Sequence, residues 1–206
     1  MVPRIKICGI TRQEDALEAA RLGADAVGLV FYELSPRCVT LEQACAVVSV
    51  LPPFVTVVAL FVNPSRDDVE RVVSTVAIDM LQFHGDETPA FCRSFARPYL
   101  KAVRVREQVD WEALAREYSD ARGLVADAFV EGMPGGTGKT FDWALLPETC
   151  ALPIIVSGGL DSTIVREAVR LRPAAVDVSS GVEVAKGIKD HAKMAAFILG
   201  VRHGLQ

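Results

Sequence analysis

Residues 45–62 read C-A-V-V-S-V-L-P-P-F-V-T-V-V-A-L-F-V (Cys45–Val62), a run of 18 residues without a charge. Such a run approaches the length of a membrane-spanning helix. Pro52 and Pro53 decide against that reading. They divide the run into the end of one helical element and a β-branched segment, Phe54 to Phe61, of the length expected for a strand buried on both faces. Strands of that kind belong to parallel sheets whose crossover helices cover both sides.

The same alternation continues outward in both directions. Strand-like apolar runs occupy residues 5–8, 26–31, 55–61, 79–83, 99–105, 124–127, 154–157 and 174–178. Between and after them, residues 13–22, 41–50, 65–76, 88–96, 111–118, 162–171 and 191–201 carry apolar side chains at three- and four-residue intervals, the helical period. Thr11 precedes the first of these helices, Thr40 with Gln43 forms a capping-box pattern, Ser65 is followed by Asp67 and Asp68, and Asp161 opens the helix at 162–171, that of the seventh strand–helix unit. Gly23 sits where a helix-ending glycine is expected. Strand ends recur every ~20–30 residues, one strand–helix unit each, and eight such units close into a (βα)8 TIM barrel, whereas an open doubly wound sheet has about five or six strands. The sixth unit is the weakest, with a glycine-rich loop and only a short helix around Asp142–Leu146.

Composition narrows the function classes. The chain has 206 residues, 50% of them apolar, and 22 Lys and Arg against 26 Asp and Glu, a formal charge of -4. Nothing there favours a nucleic-acid partner held by counterion release. Cys8, Cys38, Cys45, Cys92 and Cys150 form an odd set without a C-x-x-C pair, so neither a disulfide framework nor a zinc ribbon is expected, and a reducing cytoplasm fits. The first residues carry no apolar stretch of signal-peptide length, and no membrane partner is expected. About 250 residues is usual for this barrel, so residues 1–206 are read as a single catalytic domain with no room for another.

In a barrel the active site forms at the carboxyl ends of the strands and the loops after them. Those positions hold Cys8, Phe31 with S-P-R beyond it, Asn63, His84, Arg104, Asp127, Ser157 and Ser179. Three glycine-rich stretches follow the last three units: Gly135-Gly136-Thr137-Gly138, Ser157-Gly158-Gly159-Leu160 and Ser179-Ser180-Gly181-Val182. Their backbone N–H groups suit a phosphate, with Gly136, Gly138, Gly158, Gly159, Ser180 and Gly181 as candidates. G-T-G-K-T is no nucleotide loop, because Met133 stands where the first P-loop glycine belongs, and Phe141 replaces the third glycine of a dinucleotide fingerprint.

Cys8, between a strand and Gly9, is a candidate base that needs a nearby positive charge to reach its thiolate form. Asp127 ends the run Gly123-Leu124-Val125-Ala126, whose apolar surroundings favour a protonated acid. Arg37 could clamp a substrate carboxylate with two parallel hydrogen bonds, and His84, followed by Gly-Asp-Glu, either reaches the substrate or caps a turn. Gln82 and Asp177 complete the substrate-binding candidates.

These residues resemble those of the phosphoribosylanthranilate isomerase family of tryptophan biosynthesis. The matching stretches are Lys6–Thr11 (K-I-C-G-I-T), Gly23–Phe31, Ser35–Arg37, Leu60–Asn63, Leu81–Glu87 (L-Q-F-H-G-D-E), Gly135–Gly138 with Phe141–Trp143, Ser157–Leu160, Val176–Glu183 and Gly187–Asp190. They span the chain in the family's order without a departure at a motif position. The resemblance implies a (βα)8 fold and an Amadori rearrangement of N-(5-phosphoribosyl)anthranilate to its 1-deoxyribulose 5-phosphate isomer, without metal or organic cofactor. It implies Asp127 as the acid that protonates the furanose oxygen, Cys8 as the base that removes the C2 proton, Arg37 on the anthranilate carboxylate and the glycine loops on the phosphate. Expected partners are this small phosphosugar substrate alone, and a monomer is expected over a homodimer. Other phosphosugar barrels, such as indole-glycerol-phosphate synthase or the isomerase of histidine biosynthesis, share the phosphate loops but not a Cys8 and Asp127 pair; a phosphate-binding module without catalysis is the rival of another class.

Overall fold

A computed structural model describes residues 2–107, 109–128 and 141–204. Eight parallel strands, β1 (Arg4–Cys8), β2 (Ala26–Val30), β3 (Thr56–Phe61), β4 (Met80–Phe83), β5 (Tyr99–Val105), β6 (Gly123–Ala128), β7 (Ile154–Val156) and β8 (Ala175–Val178), pair in sequence order, and β8 pairs with β1 to close the barrel. Among the described residues the α-helices are α1 (Gln13–Leu22), α2 (Leu41–Ser49), α3 (Arg66–Thr75), α4 (Pro89–Arg93), α5 (Trp111–Glu117), α6 (Val165–Arg170) and α7 (His191–His203).

The two faces of each strand explain why the runs lack polar alternation. Ile5 and Ile7 of β1 point outward and join Val27, Leu29, Phe61, Leu81, Phe83 and Val176 in the core beneath the helices. Leu100, Ala102, Val125 and Ile155 pack inside the barrel. Both sets are buried, as helix-covered parallel strands require.

Local signals account for most element ends. Thr40 and Ser65 each accept from the backbone N–H three residues on, and Gln43 and Asp68 return the bond to the cap backbone, completing two capping boxes. Gly23 ends α1 with φ 98°. Two expected starts are displaced. The cap of α1 is Arg12, because the Thr11 hydroxyl donates to the carbonyl of Gly187 instead. Asp161 holds a turn by accepting from Thr163 and Ile164 backbone N–H groups, so α6 begins only at Val165. The fourth helix is also shorter than its apolar period suggests, with Ala96 at φ 49° beyond its end. In the sixth unit, Asp142 caps a single 3-10 turn, Trp143–Leu145.

An antiparallel hairpin, β9 (Glu183–Ala185) with β10 (Ile188–Lys189), has no counterpart in the sequence reading. It lies between β8 and α7 and brings Glu183 and Lys189, both buried, into one ion pair.

Candidate active site

The carboxyl ends of the strands surround a cavity lined by Cys8, Val30, Tyr32, Arg37, Leu60, Val62, His84, Asp127, residues 157–160 and residues 177–180. Cys8, Arg37, His84, Asp127, Asp177, Gly158, Gly159 and Ser180 are thus brought together as expected. Gly181 lies next to this lining, while Gly136 and Gly138 fall outside the described residues.

Room for the thiol comes from the neighbouring strand. Cys8 stands opposite Gly28 in the β1–β2 register, and a Cβ at Gly28 would lie 2.7 Å from its Sγ. Two residues earlier on the same face of β1 comes Lys6, which alternation places toward the barrel interior. Its Nζ is 2.9 Å from Asp177 Oδ1, both groups are buried, and the ammonium is near enough to the Cys8 thiol to lower it. Burial, joined by the charge of Asp177, pushes the thiol above its ordinary value, against the lowering effect of Lys6 and, more weakly, Lys189. Burial would likewise lower Lys6, but Asp177 and Cys8 outweigh it and the ammonium is held charged. The positive charge that Cys8 requires is therefore present, although Lys6 was not among the expected site residues. Its signal was available: a lysine in an apolar strand, on the face of Cys8.

Arg37 makes the expected two-bond clamp, but to a residue of its own chain. Nε and Nη2 donate to Glu183 at 2.8 and 2.7 Å, and Lys189 Nζ donates to the same carboxylate at 2.9 Å. Burial opposes ionisation of Glu183, yet the bonds from Arg37 and Lys189 prevail and hold it below the usual carboxylate value. Nη1 of Arg37 has no hydrogen bond among the described residues and remains the edge open to a ligand carboxylate.

His84 does not cap a turn. Its Nε2 is 2.9 Å from Asp127 Oδ2 and its Nδ1 is 3.0 Å from Gln82 Nε2. The other oxygen of Asp127 accepts from the backbone N–H of Ala128 at 2.9 Å. Gln82, placed with the substrate-binding residues by the sequence, is fully buried and absent from the cavity lining, because it lies one step deeper on the inward face of β4. The loop bearing His84 is fastened from outside the barrel: Glu87 accepts from the backbone N–H groups of Asn63 and Gly85, and Lys101 Nζ donates to the Gly85 carbonyl at 2.6 Å and to Glu87 at 3.2 Å.

The loops after β7 and β8 touch closely. A Cβ on Gly181 would sit 1.9 Å from the Leu160 carbonyl oxygen, so only glycine allows these two loops to meet. Going round the ring from β6 to β1 one crosses β7 and β8, so the two glycine loops lie between Asp127 and Cys8. A buried carboxyl group, a thiol beside a cation, an open guanidinium edge and backbone suited to an anion suffice for acid–base work on a phosphorylated substrate.

Comparison with known proteins adds an independent line. The family model described as N-(5'phosphoribosyl)anthranilate (PRA) isomerase matches residues 5–199. An N-(5'-phosphoribosyl)anthranilate isomerase of Pseudomonas syringae pv. syringae (strain B728a) is 57% identical over 202 residues, 98% of each chain. A crystal structure of phosphoribosyl anthranilate isomerase in complex with reduced 1-(o-carboxyphenylamino)-1-deoxyribulose 5-phosphate superposes with a TM-score of 0.85 at 39% identity, over 97% of this chain and 98% of that one. The same values hold for a structure of monomers generated from the dimeric phosphoribosylanthranilate isomerase of Thermotoga maritima.

Proposed function

The chain belongs to the N-(5'-phosphoribosyl)anthranilate isomerase family, and on that premise we propose that Asp127 and Cys8 are the acid and base of its reaction. The enzyme converts N-(5-phosphoribosyl)anthranilate to 1-(2-carboxyphenylamino)-1-deoxyribulose 5-phosphate in tryptophan biosynthesis. Asp127 gives its proton to the furanose oxygen as the bond from that oxygen to C1 breaks, leaving an iminium between C1 and the anthranilate nitrogen. The Cys8 thiolate takes the proton from C2, and the electrons of that C–H bond neutralise the iminium as an enolamine. Gain of a proton at C1 and loss of one from the C2 hydroxyl give the ketone.

The observation that carries the assignment is the single cavity in which Cys8 and Asp127 are separated by the loops after β7 and β8. The phosphate binds to those loops through Gly158, Gly159, Ser180 and Gly181. The anchored end of the sugar is then flanked by both catalysts, so binding energy remote from the reacting carbons orients them. The anthranilate ring lies on Val30, Tyr32, Leu60 and Val62, with its carboxylate on Arg37 Nη1. Asp177, paired with Lys6, and His84, paired with Asp127, both line the cavity beside the substrate.

Loss of anthranilate-type fluorescence on turnover tests the roles. Asp127→Asn and Cys8→Ala each depress kcat while substrate affinity is kept; wild-type turnover in both variants would refute the assignment. Gly181→Ala separates the phosphate from the chemistry, because its methyl group drives the two loops apart. Its KM for the phosphorylated substrate rises more than its kcat falls; an unchanged KM would remove Gly181 from the phosphate site.

A single catalytic domain over residues 1–206, a cytoplasmic location and a monomer complete the proposal. No described helix is long and apolar enough to cross a membrane. One observation favours a pair of chains instead. Phe54, 99% exposed at φ 72°, borders a hollow on the amino-terminal face lined by Val58, Met80, Leu100, Val125 and Ile155. Sedimentation of the wild type decides: a 22.2 kDa species supports the monomer, and a dimer that Phe54→Asp dissociates supports the pair.

A further inference from the structure

We propose that Gln82 is a positioning residue for the acid, its buried amide deciding which nitrogen of His84 carries the hydrogen that faces Asp127. The inference deepens the reading of Asp127 as the acid and rests on it.

Gln82, His84 and Asp127 form a series running from the barrel interior to the cavity. Gln82 Nε2 lies 3.0 Å from His84 Nδ1, and His84 Nε2 lies 2.9 Å from Asp127 Oδ2. An amide nitrogen only donates, so Nδ1 is the acceptor, and the ring hydrogen of the neutral imidazole is placed on Nε2. It then donates to Oδ2 while the Ala128 N–H donates to Oδ1. Each carboxyl oxygen keeps a second lone pair, one of which carries the proton delivered to the substrate. When that proton leaves, the charge left on Asp127 falls between two hydrogens already in place, and nothing need turn to meet it.

The chemistry of Gln82 itself points the same way. A fully buried primary amide is costly to desolvate, and burial of this kind is ordinarily recovered by satisfying both of its ends. Here Oε1 has no hydrogen-bond partner among the described residues. Among the described residues the hydrogen bond of the amide is to the His84 ring alone, through Nε2. A leucine or methionine would fill that place in the barrel without leaving a polar atom unsatisfied, so packing does not account for the amide.

The test uses the whole enzyme with 15N-labelled histidine. In the wild type at neutral pH, the long-range 15N–1H pattern of His84 is that of the Nε2–H form. In Gln82→Met the preference is lost and kcat falls about tenfold to a hundredfold, with KM unchanged within about twofold. Gln82→Glu keeps the shape but offers only an acceptor, so its His84 carries hydrogen on Nδ1; this variant serves where Gln82→Met does not fold. A wild-type His84 with hydrogen on Nδ1 alone would overturn the proposal, as would Gln82 variants that keep both the Nε2–H form and full kcat. The reading of Asp127 as the acid fails separately, by turnover persisting in Asp127→Asn, which the histidine spectrum does not report.

Discussion

Asp127→Asn lowers kcat by about a thousandfold and leaves KM within a factor of a few, within the range of about 10²–10⁴ for removal of a positioned acid. The substitution is nearly isosteric in a buried place, so the barrel around it has no cavity to collapse into. In the proposed arrangement the phosphate loops and Arg37 hold the substrate, and the substitution leaves them untouched. What it removes is the proton that the proposal delivers to the furanose oxygen. Asparagine also offers a single acceptor oxygen where Asp127 offers two, one to Ala128 N–H and one to His84. The amide NH2 then faces either a backbone N–H or the His84 ring, which adds misplacement to the lost proton. Steady-state rates from the fluorescence change, beside a binding titration with the product, separate the two parameters. A large rise in KM with kcat preserved would make Asp127 a binding residue and leave the acid unidentified.

Lys6→Met has the second largest effect, about a hundredfold in kcat, and its size depends strongly on pH. A thiol below its pKa yields tenfold more thiolate for each unit of pH, and burial already holds Cys8 above its usual value. Removing the Lys6 cation takes away the chief opposing influence, so the thiol rises further. The variant's deficit against the wild type is therefore greatest at low and neutral pH and narrows as the medium becomes alkaline. Lys6→Met alone leaves Asp177 buried without its partner, which for such pairs costs about 3–5 kcal/mol of stability. Lys6→Met with Asp177→Asn removes both charges and restores most of that stability. Because Asp177 also raises the thiol, the pH dependence of the double variant decides: a kcat deficit that is flat with pH makes Lys6 structural, and one that narrows as the medium becomes alkaline means that Lys6 serves the thiol.

The barrel was legible because its strands are continuously apolar, and closed parallel sheets are among the few structures that bury strands on both faces. Cys8 and Asp127 were legible for a related reason: each polar side chain follows an apolar run at a strand's carboxyl end, where barrels do their chemistry. The pairing of the charges that tune the site was not. Lys6 and Asp177 are 171 residues apart, and Arg37 and Glu183 are 146 apart, so each pair exists only once β8 closes on β1 or the hairpin folds back. Glu183 and Lys189 sit on strands of three and two residues, too short for any periodic signal. The series Gln82, His84, Asp127 was half visible: a two-residue spacing puts Gln82 and His84 on one side of β4, but the distance from there to β6 is a property of the closed ring.

A single turnover of N-(5-phosphoribosyl)anthranilate by excess enzyme, wild type beside Cys8→Ala, tests the acid–base pair most directly. The expected result is a fast exponential loss of fluorescence in the wild type, slowed by about 10²–10⁴-fold in Cys8→Ala, with the same dissociation constant for the product in both. A Cys8→Ala enzyme that completes its turnover at the wild-type rate would contradict the account, since proton removal from C2 would then need no thiolate.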